Sequence, residues 1–172
     1  MKKLFLVFAI LLFGLGCEKD DICTDTNATT AKLIIRFYDI ATPETPKVVN
    51  KLLVQGVDNN YTYGTESTRD SIAIPLRILE NNTSYKLIKD FEVNDNGTPD
   101  DTSDDFATGN EDVIIINYTN NQVYVSKACG FKNIFTNTNF GFTNDGDNWI
   151  LNTTIENSTI ENQNNAHVHI FH

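Results

Sequence analysis

Short apolar runs with a period of two are the feature that most constrains how this chain folds. Runs rich in Val, Ile, Tyr and Phe recur from residue 32 onward, separated by Asn, Asp, Gly and Thr. Such alternation places successive side chains on opposite faces of a strand, and no long stretch has the spacing of an amphipathic helix. The pattern predicts an all-β domain over 32–172, an antiparallel β-sandwich of about eight strands. A partly closed β-barrel is the alternative, because periodicity alone does not separate the two folds.

The predicted strands are bounded by turn-forming residues and cover 32–40, 48–57, 70–78, 84–93, 113–118, 123–129, 148–156 and 166–171. In the third run Ile72, Ile74 and Leu76 share one face, and Pro75 indicates a sheet edge or a bulge. Asn120 and Asn121 predict a hairpin turn, because asparagine tolerates a positive φ.

Two further runs are each predicted to present one apolar face. In 84–93 the shared face consists of Tyr85, Leu87, Phe91 and Val93. In 148–156 it consists of Trp149, Leu151 and Ile155.

The first residues predict export and lipidation. Lys2 and Lys3 precede an apolar run over 4–12, which is too short to cross a bilayer as a mature helix, and Gly16 is followed by Cys17. A small residue directly before cysteine is typical of lipoprotein signals, so 1–16 is predicted to be a signal peptide and Cys17 to carry lipid. Residues 17–31 would then be a lipid-anchored tether. An ordinary secretory signal is the alternative.

The charged segment Glu18-Lys19-Asp20-Asp21 bears on location. It resembles the acidic signal that sends lipoproteins of Bacteroidetes-type bacteria to the outer face of the outer membrane. We therefore expect an outer-membrane lipoprotein, exposed at the cell surface in preference to the periplasmic face. A solvated tether without a sorting role would have the same composition.

The charge balance excludes one class of partner. The chain has 13 Lys and Arg against 23 Asp and Glu, a formal net charge of −10. No basic stripe is compatible with this balance, so we expect no nucleic-acid partner.

Two cysteines remain once Cys17 is assigned to lipid. An oxidising compartment favours a disulfide between Cys23 and Cys129. The alternative is a pair of free thiols in a metal or redox role, although no C-x-x-C spacing supports it.

The acidic segment 92–105 is the candidate metal site. Oxygen-bearing side chains at alternate positions before Gly97 are what a structural calcium loop needs, because glycine allows the tight turn. The predicted ligands are Asn94, Asn96, Asp100 and Asp104. Ser103 stands where an EF-hand carries its bidentate glutamate, and the alternative is a solvated loop between strands.

Two other patterns are weaker candidates. Aromatic residues in a polar segment over 131–142 indicate a binding loop for sugars or a partner surface, or else a cap on the core. They are Phe131, Phe135, Phe140 and Phe142. His167 and His169 are predicted to share one face of the last strand, where they would bind zinc only with a third ligand or would otherwise lie in solvent.

The sequence does not indicate an enzyme. No Gly-x-Ser-x-Gly motif or phosphate-binding glycine loop occurs, and scattered Asp and Glu residues define no carboxylate pair. We therefore expect no catalytic residue and no cofactor apart from the candidate calcium.

Four segments together resemble a family of uncharacterised Bacteroidetes lipoproteins, a domain-of-unknown-function family. They are Cys17-Glu18-Lys19-Asp20-Asp21-Ile22-Cys23, Leu33-Ile34-Ile35-Arg36-Phe37-Tyr38-Asp39, Asp70-Ser71-Ile72-Ala73-Ile74-Pro75-Leu76 and Ser126-Lys127-Ala128-Cys129-Gly130-Phe131. The resemblance implies a surface or periplasmic lipoprotein with two paired cysteines, and it implies no activity.

Two functional hypotheses follow. The first is a non-enzymatic accessory domain, held to the membrane by lipid, that interacts with another envelope protein such as an outer-membrane protein. The second is a glycan or small-ligand binding module that uses the aromatic segment 131–142. Aromatic side chains in a concave site would favour the ligand, and a flat exposed patch would favour the protein.

Overall fold

The computed structural model describes residue 23 and residues 29–59, 61–64 and 66–172. The predicted signal peptide, Cys17 and most of the tether lie outside the described residues. Within the described part of the chain, no helix is long and apolar enough to cross a membrane.

Nine strands in two sheets make up the described fold. They are β1 Leu33–Tyr38, β2 Val49–Gly56, β3 Ser67–Arg69, β4 Ser71–Ile74, β5 Asn82–Asn94, β6 Phe106–Ser126, β7 Gly130–Phe142, β8 Asn152–Ile155 and β9 Val168–Phe171. One sheet has the order β4-β1-β9-β8, and the other has the order β3-β2-β5-β6-β7. The predicted β-sandwich is confirmed, and the two sheets do not join into a closed barrel. The pairing is not wholly antiparallel, because β1 and β9 run parallel.

The core lies between the two sheets and follows the predicted alternation in several strands. Leu33, Ile35 and Phe37 of β1 are fully buried. Ile72 and Ile74 of β4 are also buried, which confirms their shared face, and Pro75 follows β4 at the edge of its sheet. Each large apolar side chain buried in this way contributes about 1.5–3 kcal/mol, so the alternation itself stabilises the sandwich.

The hairpin predicted at Asn120 and Asn121 is wrong. These residues lie inside β6, where they pair with Phe135 and Ile134 of β7, and neither has a positive φ. The turn lies instead between Ser126 and Gly130, which are register partners, and Gly130 has a φ of 71°. Gly130 directly follows the three-residue loop over 127–129 in a left-handed conformation that favours glycine, so the chain reverses here and not at the asparagine pair.

The face predicted for 84–93 is correct only in its first half. Tyr85 and Leu87 are buried, whereas Val93 is 59 % exposed. The register between β5 and β6 shifts between Lys89 and Glu92, and Asp90 there has a φ of 56°. A bulge of this kind bends the strand, and the end of β5 thereby leaves the core.

The face predicted for 148–156 is also wrong, because β8 begins only at Asn152. Trp149 and Ile150 are the buried residues, while Leu151 is 56 % exposed and Ile155 is 39 % exposed. The carboxylate of Asp112, itself fully buried, accepts a 2.7 Å hydrogen bond from the backbone N–H of Ile150. This contact holds the corner so that two consecutive side chains enter the core.

Candidate functional site

The acidic segment forms the loop of the β5–β6 hairpin, with a short 3-10 turn over Thr102–Asp104. Asn96 and Gly97 both have positive φ, as the predicted tight turn requires. The two carboxylate oxygens of Asp104 accept hydrogen bonds from Asn96 Nδ2 at 3.0 Å and from Thr98 Oγ1 at 2.9 Å. These bonds, that of Asn96 first, lower the pKa of Asp104.

The carboxylate of Asp104 is therefore hydrogen-bonded by side chains of the same loop. Among the described residues, no group of three or more His, Cys, Asp or Glu side chains is placed to hold a metal ion. The side-chain oxygen of Asn94 accepts a hydrogen bond from the N–H of Asn96, and Asp100 is exposed. Amide and backbone oxygens also bind calcium, so the calcium site stays a prediction.

The aromatic segment 131–142 is not a loop. It is β7, and two of its four phenylalanines lie in the core, with Phe135 fully buried and Phe140 8 % exposed. Phe142 packs against the same core, and Phe131 alone of the four is mostly exposed, at 61 %. Asn137 has a φ of 52° near a register shift, and this irregularity brings Phe135 and Phe140 to one face despite their odd spacing. The predicted loop is therefore wrong, because the segment is a strand with two of its four phenylalanines in the core, and a binding role for the exposed Phe131 stays a prediction.

The two histidines have different surroundings. His167 is buried, and its Nδ1 accepts a 3.0 Å hydrogen bond from the backbone N–H of Ile34. Burial lowers the pKa of His167 and so favours the neutral ring, which the acceptor role of Nδ1 also requires. His169 is half-buried and lies 3.4 Å from a carboxylate oxygen of Glu156. The expectation that both imidazoles lie in solvent is therefore wrong for His167.

A cleft that sequence reasoning missed opens at one end of the sandwich, where β2 ends, β5 begins and the chain crosses from β4 to β5. We call it the tyrosine cleft. Its volume is about 360 Å³. Its lining includes Asn59, Tyr63, Leu76, Arg77, Ile78 and Tyr85.

One wall of this cleft combines a glycine, an amide and aromatic rings. Gly56 of β2 pairs with Tyr85 of β5, and the backbone N–H of Gly56 donates to the carbonyl of Tyr61 at 2.8 Å. A Cβ at Gly56 would lie 2.4 Å from Asn59 Oδ1. The missing side chain thus leaves room for the amide of Asn59. Beside it Tyr63 contacts Tyr85 edge-to-face at 5.1 Å, and Tyr61 contacts Tyr63 in the same way at 5.0 Å.

Tyrosine hydroxyls hold the opposite wall in place. The hydroxyl of Tyr85 donates to the carbonyl of Pro75, and the hydroxyl of Tyr118 donates to the carbonyl of Arg77 at 2.8 Å. Thr83 Oγ1 accepts from the N–H of Arg77 at 3.0 Å. Because burial raises the pKa of both phenols, they stay protonated and serve as fixed hydrogen-bond groups.

Arg77 provides the main charge of the lining. Its guanidinium donates to Glu80 at 2.8 Å and to Asp58 at 2.5 Å. These two bonds, that to Glu80 first, raise the pKa of Arg77, so the group is cationic at every working pH. With both carboxylates in contact, its charge is compensated locally and it links the two loops beside the cleft.

We call three solvent-exposed side chains in or beside the cleft its rim: Ile78 lines the cleft, Leu79 follows Ile78 in the chain, and Tyr61 contacts Tyr63 of the lining. Leu79 is 93 % exposed, Tyr61 is 62 % exposed and Ile78 is 53 % exposed. The lining residues that the structure describes offer aromatic faces, an amide and a compensated guanidinium. This set suits non-covalent binding of a surface with apolar and hydrogen-bonding groups. In the sequence the cleft is represented only by Tyr61-Thr62-Tyr63 and by the pair Ile78-Leu79. Neither segment indicates a binding site until the fold brings the two together.

Comparison with known proteins gives one finding. A family model described as "Family of unknown function (DUF6452)" matches residues 51–172, which is more than half of the chain. No curated protein matches the chain, and no solved structure matches it.

Proposed function

We propose that this chain, which belongs to the family of unknown function DUF6452, is a lipid-anchored envelope lipoprotein with a non-enzymatic binding domain. Its partner would be another envelope protein. The anchor is the predicted lipid on Cys17, at the outer membrane and preferentially at the cell surface. The disulfide between Cys23 and Cys129 supports export, because such bonds persist in oxidising compartments.

The observation that carries the proposal is the apolar rim of the tyrosine cleft. A leucine that is 93 % exposed beside a 53 % exposed isoleucine leaves apolar surface in water next to a concave site. Surfaces that combine an apolar rim with a pocket are typical of protein–protein contacts, in which one partner inserts a side chain and the rim excludes water. Tyr61 adds an aromatic ring of the kind enriched at such contacts.

Site-specific photocrosslinking in living cells tests this proposal. A diazirine amino acid replaces Leu79 in one variant and Leu151 in the control, since Leu151 is 56 % exposed and lies outside the cleft. We expect one envelope protein to be captured from position 79 and not from position 151. Tyr61→Ala should reduce the capture at least five-fold. Equal capture from both positions, or none from position 79, would refute the proposal.

The second candidate is a glycan or small ligand in the same cleft. The edge-to-face pair of Tyr61 and Tyr63 favours it, because aromatic faces beside amide groups suit the faces and hydroxyls of sugars. A glycan array on the purified protein tests it. Binding that is lost in Tyr63→Ala would support this candidate in place of the protein partner.

A further inference from the structure

The β6–β7 hairpin extends beyond the rest of its sheet. The last β5 partner of β6 is Asn117, and β6 continues to Ser126, roughly 30 Å further at 3.3 Å per residue. Two aromatic residues face each other across the strands near its end. Tyr124 is 58 % exposed and Phe131 is 61 % exposed, and their rings contact edge-to-face at 5.3 Å. We call this region the hairpin tip.

The disulfide ties the hairpin tip to the start of the chain. Cys129 lies in the turn of the hairpin and is bonded to Cys23, with their Cα atoms 4.9 Å apart. The bond is therefore at the tip and not in the middle of the sheet. The segment from Cys17 to Cys23 can span at most about 20 Å even when fully extended. A lipid on Cys17 would accordingly hold the hairpin tip within that distance of the membrane surface.

The charge distribution gives the same orientation. The acidic loop is at the opposite end of β6, since Asn94 pairs with Phe106, and β6 from Phe106 to Ser126 spans roughly 65 Å. That loop carries five aspartates, namely Asp95, Asp100, Asp101, Asp104 and Asp105. The hairpin tip carries Lys127 and Lys132. Of these two hairpin loops, negatively charged lipid headgroups repel the acidic one more strongly, although Glu18, Asp20 and Asp21 add carboxylates to the segment that joins the tip to Cys17.

From these observations we infer that Tyr124 and Phe131 insert into the interfacial layer of the bilayer that holds Cys17, with the disulfide as the orienting link. This inference rests on the proposed lipid anchor. Aromatic side chains favour the headgroup level, where the ring is partly buried and the phenol hydroxyl stays hydrated. The tyrosine cleft lies roughly 20 to 40 Å along β6 from Ser126, because Asn120 donates to the carbonyl of Ile78 and Tyr85 pairs with Ile114.

The test uses the full acylated protein reconstituted into vesicles of phosphatidylethanolamine and phosphatidylglycerol. A diazirine amino acid replaces Phe131 in one variant and Phe106 in the control, since Phe106 is a 49 % exposed phenylalanine at the acidic end. Mass spectrometry counts lipid adducts after illumination. We expect at least five-fold more adducts at position 131, and equal yields would overturn the inference.

A second comparison addresses the orienting link. Twenty Gly and Ser residues inserted between Cys17 and Cys23 leave the disulfide intact but remove the distance limit. We expect adducts at position 131 to fall at least two-fold, and an unchanged yield would overturn the orienting role. The mass of the N-terminal peptide separates the two proposals. A peptide without acyl chains overturns the proposed anchor, whereas an acylated peptide with equal adduct yields overturns only this inference.

Discussion

The buried carboxylate of Asp112 offers a direct test of how the β8 corner is stabilised. Asp112 is fully buried and accepts a 2.7 Å hydrogen bond from the N–H of Ile150. Asp112→Ala leaves that donor buried without a partner, which costs about 1–3 kcal/mol. Asp112→Asn keeps a carbonyl acceptor at the same position. We therefore expect the alanine variant to lose about 2 kcal/mol of unfolding free energy and the asparagine variant to lose less.

Trp149 makes the measurement simple, because it is the chain's one tryptophan and lies beside Ile150. It is 7 % exposed, and its indole Nε1 donates to the carbonyl of Leu87 at 3.1 Å. Urea unfolding followed by its fluorescence should show a midpoint about 1 M lower for Asp112→Ala, at a typical slope of about 2 kcal/mol per molar. An alanine variant as stable as the parent, or an asparagine variant less stable than the alanine variant, would refute the reasoning.

The pH dependence of the same pair provides a second check. Burial raises the pKa of Asp112, and the hydrogen bond from Ile150 offsets this only in part. A raised pKa in the folded state means that the fold binds this proton more tightly than the unfolded chain does. The contribution of Asp112 to the unfolding free energy is thus fully present below the unfolded pKa of 3.8 and is lost as pH rises through the folded pKa. The stability of Asp112→Asn relative to the parent should consequently increase as pH rises from about 4.

Three further predictions concern other parts of the fold. Replacing Cys23 and Cys129 together by serine should lower the unfolding free energy by up to about 4.7 kcal/mol in the chain-entropy model, as measured by urea unfolding against the parent with its disulfide intact. Burial lowers the pKa of His167. Its contribution to the unfolding free energy should therefore be fully present above the unfolded pKa of 6.5 and be lost as pH falls through the folded pKa. A His167→Gln variant with an unchanged slope between pH 7.5 and 5.5 would contradict this. Tyr118→Phe removes the hydroxyl that bonds the carbonyl of Arg77, and should cost about 1–2 kcal/mol in thermal unfolding without altering the exposure of Tyr61 to iodination.

Much of the fold was predictable because it depends on local alternation. Ile72 and Ile74 are buried on one face as the sequence indicated, and the segments around β1, β2, β5 and β9 were placed within a few residues. The cysteine pairing also followed from composition and compartment. Each of these conclusions needs only near neighbours in the chain or a count of residues.

Predictions failed where a bulge changed which side chains share a face. Asp90 and Asn137 adopt positive φ inside strands, and after each the alternation no longer continues as the sequence suggests. For this reason Phe135 and Phe140 both enter the core, and Val93 leaves it. Neither residue type marks a bulge by itself, because asparagine and aspartate are common throughout this chain.

The candidate site could not be predicted, because its parts are distant in the chain. Tyr63 meets Tyr85 only when β2 pairs with β5, and the carbonyl of Arg77 meets Tyr118 only after β6 is in register. The sequence by itself determined the two-layer β architecture, the acidic turn at Asn96 and Gly97 and the pair of cysteines, since these depend on alternation, on local backbone freedom and on composition. Only the tertiary structure decided the bulges, the burial of His167, the hairpin tip and the tyrosine cleft. All of these depend on which strands pair and in which register, and that is settled by long-range burial and hydrogen bonding rather than by any local pattern.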